Sequence, residues 1–518
     1  MDAIWTVTWA AIYHQVVKSI PYCYPSLPLG NDNIRLLRLI PNKNEAAIIK
    51  CELFNYSLER GKGTHLYEAL SYVWGNPNEI VPIFIDDHIL SVTTNLHAAL
   101  LRLRDRDIAR TVWVDAVCIN QENEREKEQQ IQLMAKIYGQ ANRVVVWLGE
   151  AADNSDQALE EIRVTGSKKA TNSSTNETIQ PAVLALFQRP WFRRIWVLQE
   201  VAAARHVLIM CGPTEIDGYA FCLGVDSLKG FHEAPADLQS LIRSVIYLIR
   251  GALFRPSYVM GRSGSPLGEL VDMYHTHKAT RRHDKVYALL GMSSDDLRKA
   301  SLLPNYGVPW KELLERLAKF LLSEKISVET WGDKEIAEIK SKGCIFGKVS
   351  SVLKDTALDD IQAVDVIFKN IAGLPEYMGT QRWTLRPSAK SIQDGDLICL
   401  LQGASKPAII RLCNDHFAII MIAATPPENI RMKEGYIEWP KLLELVKTFT
   451  RDFLLVWDWE NSPGKLQDLE EYETLIRTND WPSEHSKAAR EGHLDKATRT
   501  WNVALILGDL GYEEAEER

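Results

Sequence analysis

From Tyr67 to Gly212 the chain alternates short, almost wholly apolar runs with helix-length amphipathic segments, and few architectures can bury such a pattern. "YEALSYVWG", "RTVWVDAVCIN" and "RVVVWLG" lack polar alternation, so each reads as a strand covered on both faces. "NLHAALLRLR" puts Leu96, Leu100 and Leu103 on one helical stripe, with Asn95 as its cap. "NEREKEQQIQLMAKIYGQA" puts Ile131, Met134, Tyr138 and Ala141 at helical spacing, and its run from Glu122 to Glu128 reads as the solvated face and first turn. Strand, helix, strand, helix, strand is the pattern of an α/β unit built on a parallel sheet. "VPIFIDDHILSVT" inserts a hairpin that turns at Asp86-Asp87-His88.

Around this block the chain divides into five segments. Residues 1–60 form a leader with a short helix, a Pro-rich turn and the strand-like runs "IRLLRLI" and "AAIIKCELF". The α/β domain occupies 61–225, a helical region 226–335, a small β-rich region 336–425 and a helical acidic tail 426–518. "TGSKKATNSSTNETIQ", residues 165–180, has almost no apolar content and reads as a mobile surface loop. Residues 181–212 read as one helix with Trp191, Ile195, Leu198 and Ala202 inward, followed by a strand.

The 518 residues suffice for two to four domains, and 46% apolar content gives each a core. Sixty Lys plus Arg against 68 Asp plus Glu leave a net charge of −8, which argues against a dedicated nucleic-acid binder. The eight Cys form no CxxC pair, so they read as reduced core thiols rather than zinc ligands or a disulfide framework. The apolar N-terminus has no basic flank and is interrupted by His14 and Gln15, so neither a signal peptide nor a membrane span is expected. His275, His277 and His283 have no acidic or Cys partner at ligand spacing and read as solvated basic residues before a helix, so no metal site is expected.

In doubly wound folds ligands gather at the carboxyl ends of the strands. Three such ends carry polar or aromatic residues: Ser71 to Gly75 (including Trp74), Asp115 to Gln121 (including Asn120), and the turn into Trp191 to Glu200. Trp196 and Glu200 stand four apart on one helical face, a carboxylate beside an indole that suits gripping a ribose. The alternative is that Glu200 caps the helix or pairs with Arg193, Arg194 or Arg205. Asp115 likewise either bonds backbone or a cation, or touches ligand, because a carboxylate inside "VWVDAVCIN" is costly to bury unpaired. Trp74 and Trp113 read either as core or as stacking residues.

"YEALSYVWG", "VWVDAVCINQENEREKEQQIQLMAKIYGQANRVVVWLG" and "RPWFRRIWVLQE" resemble the three blocks of the fungal heterokaryon-incompatibility (HET) domain. "HDKVYALLGM" and "PNY" resemble the segment that follows it in long members, so the resemblance covers most of residues 20–310. It implies a role in self/non-self recognition and programmed cell death, with an incompatibility partner protein and self-association; the reduced thiols and the lack of a signal peptide set the expected location as cytoplasmic. The family is similar in turn to the TIR domain, several of whose members cleave NAD+ using a glutamate in a W-x-x-x-E setting. Trp196-Val197-Leu198-Gln199-Glu200 matches that spacing, which implies Glu200 as the catalytic residue. Ser71, Trp74, Gly75, Asp115, Asn120 and Trp196 would then line the substrate site, with NAD+ or a related nucleotide as substrate rather than cofactor. The 80–93 hairpin and the long polar loop depart from the TIR pattern. The competing expectation is a non-catalytic adaptor that signals through homotypic contacts.

Overall fold

The computed structural model describes residues 20–28, 32–59, 66–167, 179–228, 234–254, 265–296, 301–330, 334–353, 362–368, 379–386, 390–413, 416–433, 435–446, 449 and 451–460. The short helix expected before residue 20 and most of the polar loop (168–178) lie outside them. The chain separates into two compact units, one made of residues 1–264, 277–292 and 304–306, the other of 265–276, 293–303 and 307–518.

In chain order the elements to residue 290 are β1 (Asn33–Leu39), β2 (Lys50–Ser57), β3 (Glu68–Tyr72), β4 (Ile80–Ile85), β5 (His88–Thr93), α1 (Thr94–Leu103), β6 (Arg110–Trp113), α2 (Asp115–Cys118), α3 (Glu124–Gln140) and β7 (Arg143–Trp147). They continue with α4 (Ser155–Ser167), α5 (Gln180–Phe187), a 3-10 turn (Pro190–Arg193), α6 (Trp196–Ala203), β8 (Val207–Cys211), β9 (Thr214–Asp217), α7 (Gly218–Ser227), α8 (Ala236–Phe254), α9 (Leu267–Tyr274) and α10 (Asp284–Leu290).

The first unit is built on a nine-stranded sheet of order β5-β4-β2-β1-β6-β3-β7-β8-β9. Its centre, β6-β3-β7-β8, is parallel throughout, as the all-apolar strands require. The wings are antiparallel hairpins, with β2 beside β4 as a further parallel pair, so the sheet as a whole is mixed. β1 and β2 come from the leader, and β1 joins the centre through Leu37 opposite Val112. The leader is therefore part of the sheet. Asp86 and Asp87, with φ of 49° and 65°, make the two-residue turn expected between β4 and β5.

Three local expectations fail for physical reasons. Thr93 caps α1 in place of Asn95, accepting from the Leu96 amide, and Asn95 is free to reach elsewhere. The strand expected through residue 121 stops at Trp113, because Asp115 opens a helical turn whose Ala116 amide it binds at 2.7 Å. The single helix expected from residue 181 breaks after Phe187, since Pro190 cannot continue it and starts a separate turn. On α3 the acids are not all solvated: Glu126 is 8% exposed and pairs at 2.6 Å with Arg35, itself 1% exposed.

The second unit holds α9, then α11 (Trp310–Leu321), β10 (Ser327–Thr330), the 18-residue β11 (Ile336–Leu353), β12 (Gln362–Phe368), β13 (Thr380–Leu385), β14 (Leu397–Leu401), β15 (Ala408–Leu412), β16 (Phe417–Met421), β17 (Asn429–Met432), β18 (Gly435–Glu438), α12 (Trp439–Leu445) and β19 (Arg451–Asp458). β11, β14, β15, β16 and β19 pair in sequence and β19 returns to β11, which closes a five-stranded ring and leaves it no free edge. Where a helical tail is expected, the described part of 426–518 is mostly strand. Phe453, Leu455, Trp457 and Trp459 point inward at every second position, the period of a strand and not of a helix. His275 is 2% exposed against Trp459, so it is not a solvated residue. His277, in the first unit, is 1% exposed.

Candidate functional site

Ser71 and Tyr72 end β3, Asp115 follows β6, and Trp147 ends β7, so the carboxyl ends of three adjacent parallel strands meet at one place. α6 carries Glu200 to that place. The carboxylate is 3% exposed and accepts a short hydrogen bond from the Ser71 hydroxyl, which is wholly buried. Ser71 in turn accepts from the indole Nε1 of Trp191 at 2.8 Å, also wholly buried. Trp191, Ser71 and Glu200 thus form a directed chain of donors that ends on the acid.

Burial pushes the Glu200 carboxyl up to about 7. The Arg194 guanidinium and the Ser71 hydroxyl pull the other way, and the charge of Asp115 adds to the rise. Arg194 donates to the Tyr72 carbonyl, which holds its charge between the two acids. Burial also raises Asp115, against the same Arg194 and the indole of Trp74, whose Nε1 donates to it at 2.8 Å. Trp74 is 38% exposed, so this rim reaches solvent while Glu200 lies beneath. Gly75, with φ of +84°, turns the chain away from β3; a Cβ there would stand 3.2 Å from that of Asn95. Asn95 donates to the Val73 carbonyl at 2.6 Å and accepts from Trp147 Nε1 at 3.0 Å, pinning the loop after β3 to the end of β7.

Of the residues singled out from sequence, Ser71 and Glu200 are in contact, and Trp74 and Asp115 are bonded beside them. Asn120 is placed differently. Its amide donates to Glu126 at 2.8 Å and its side chain accepts from Glu122, which ties it to the Arg35–Glu126 pair. Trp196 shares a helix with Glu200, but its indole faces Asp284. Trp113 is wholly buried core. Tyr72 and Trp191 fall within the strand-end segments singled out but were given no role there, and Asn95 was read only as a cap; Arg194 was weighed only as a cation for Glu200, and Arg205 instead donates to the Gly139 carbonyl.

Among the described residues no cluster of His, Cys, Asp and Glu is arranged to hold a metal ion, and no helix is long and apolar enough to cross a membrane.

A fold of mixed sheet and helices with an acid at its strand ends defines a class that comparison makes specific. Over residues 67–200 the chain matches the family model described as Heterokaryon incompatibility protein (HET). It is similar to Heterokaryon incompatibility protein 6, OR allele, of Neurospora crassa, with 25% identity over 340 residues covering 53% of this chain and 49% of that protein. The chain thus spans about half the length of that curated relative. No solved structure matches it.

Proposed function

We propose that this protein acts in fungal self/non-self incompatibility and that its effector step is TIR-like N-glycosidic cleavage of NAD+ or a related nucleotide in the cytoplasm, promoting cell death. The observation that carries this reading is the Ser71–Glu200 couple at the carboxyl ends of the parallel strands, with Asp115, Trp74 and Arg194 above it. In the reaction the ribose C1′–N bond breaks and its electron pair moves to the pyridinium nitrogen, releasing neutral nicotinamide. Ionised Glu200 holds the ribose hydroxyls and stabilises the oxocarbenium-like transition state. Water then adds to C1′, and its proton passes to Glu200 and on to solvent. Arg194 suits a phosphate oxygen, and the exposed Trp74 a ring system.

The test is nicotinamide release from NAD+ by concentrated purified protein, wild type beside Glu200→Gln. Release by the wild type and loss of at least 100-fold in the variant is expected; equal activity in both overturns the reading. Since the ionised acid is required, the wild-type rate should rise with pH through about 7. Ser71→Ala removes a group that favours ionisation, so it should move that inflection upward.

The 3% exposure of Glu200 favours a second reading, in which the domain signals through contacts with an incompatibility partner or with other copies of itself, without turnover. Under it, Glu200→Gln leaves cell killing intact and surface changes on the helix Glu124–Gln140 abolish it.

A further inference from the structure

α6 begins without help from its own sequence: Ile195 occupies the cap position and offers no side-chain acceptor. What holds it comes from residues 277–292, well past residue 200, where the family match ends. The Ile195 amide donates to the Lys278 carbonyl at 3.0 Å and the Lys278 amide to the Arg193 carbonyl at 2.7 Å, a two-way backbone tie at the helix entrance. One position on, the Trp196 indole faces the Asp284 carboxylate and favours its charged form. The Gln199 amide satisfies both its neighbours only when turned with its nitrogen to the Ala288 carbonyl and its oxygen to the Ala135 amide, each at 3.0 Å. A Cβ on Gly291 would lie 2.6 Å from the Gln199 side chain, so the chain passes against α6 as closely as a backbone can.

Asp284 is the node of this strap. It is 7% exposed, accepts from the Tyr306 hydroxyl at 2.6 Å, and is held toward its charged form by the Trp196 indole and the Arg281 backbone beside it. Tyr306 is itself fixed. Its amide donates to Glu128 of α3 at 3.0 Å, the Tyr287 hydroxyl holds the neighbouring Asn305 carbonyl at 2.8 Å, and Arg281 lies 4.8 Å over its ring. Arg281 also reaches Glu124 of α3 at 3.4 Å. The two helices flanking the acid site, α3 and α6, are therefore joined through one buried carboxylate that belongs to neither.

We infer that Asp284 is a positioning residue for Glu200, acting through Trp196 and the first turn of α6, and that residues 277–292 and 304–306 are a working part of the site. The inference rests on the proposed role of Glu200 for its functional meaning, but its test does not depend on turnover. Glu200 lies one helical turn beyond Trp196, so releasing Trp196 shifts the carboxyl in its buried site against Arg194, Ser71 and Asp115, the groups that act on its ionisation.

The experiment follows the Glu200 carboxyl by NMR on full-length protein with 13C-labelled glutamate, the signal being assigned by its absence in Glu200→Gln. The wild-type midpoint is compared with those of Asp284→Asn, Tyr306→Phe and Trp196→Phe, each checked for folding by circular dichroism. A midpoint displaced by one pH unit or more in Asp284→Asn, with a smaller displacement of the same sign in Tyr306→Phe, is the expected result. Should Asp284→Asn fail to fold, the Trp196→Phe and Tyr306→Phe proteins decide the matter. A midpoint unchanged in the folded variants overturns the inference, whatever their stability, because a brace that only stabilises would leave it in place. If the midpoint moves while wild type releases no nicotinamide, the enzymatic reading fails and the positioning role stands.

Discussion

Glu200 carries an energetic signature that can be measured without knowing its substrate. Its carboxyl titrates at about 7 in the folded chain, against 4.5 as its ordinary value. Between those values the folded state holds a proton that the unfolded state has lost, so the residue's contribution to stability falls as pH rises through that window. A shift of this size corresponds to on the order of 3 kcal/mol. Glu200→Gln has no charge to desolvate, and the expected outcome is a variant more stable than wild type at pH 8 and no more stable at pH 4.5, read by thermal melts at both. A wild-type advantage at pH 8 would mean that the carboxylate is stabilised by its neighbours after all. At this scale the sequence was informative about which residues matter and poor on what they touch. The i, i+4 spacing of Trp196 and Glu200 was legible, yet the indole turns to Asp284, a partner 88 positions away that no local pattern announces. Arg194 was legible as a cation, but its position between two acids follows from where β3 and β6 end.

The elements themselves were mostly readable, because burial on both faces leaves an all-apolar run and burial on one leaves a stripe. Boundaries were lost where a single residue overrides the run, as Asp115 does by opening α2 and Pro190 by ending a helix early. β19 was missed because its alternation is short and sits beside charged sequence. Packing between elements is less visible still. Gly224 of α7 lies so close to α4 that a Cβ would stand 2.1 Å from the Ile162 carbonyl oxygen. Gly224→Ala should therefore destabilise the protein by about 1–3 kcal/mol although alanine is the better helix former. A lowered melting temperature would bear this out, and an unchanged or raised one would show that α4 and α7 can separate cheaply. In the second unit Asp272 of α9 accepts from the Ile422 amide at 2.9 Å and the Ala423 amide at 3.3 Å, joining that helix to the end of β16. Burial pushes this carboxyl too up to about 7, so its contribution has the same sign with pH as that of Glu200.

At the scale of the whole molecule, the family match and the folded unit have different limits. Residues 67–200 include β3 to β7 but omit β1 and β2, which lie between β4 and β6, and β8, which flanks β7. A fragment of those residues would have its hairpin β4–β5 cut from the central strands and two apolar edges bare. Such a fragment should give no cooperative melt by circular dichroism, whereas the full chain should; a sharp transition in the fragment would show that the leader strands are dispensable. The sheet order has one more consequence, for the time course of assembly. β3 is flanked on both sides by strands made later in synthesis, β6 at residues 110–113 and β7 at 143–147. Until β6 has left the ribosome, about forty residues behind β3, it has no neighbour to pair with, and its sticky backbone stays available to any other nascent chain.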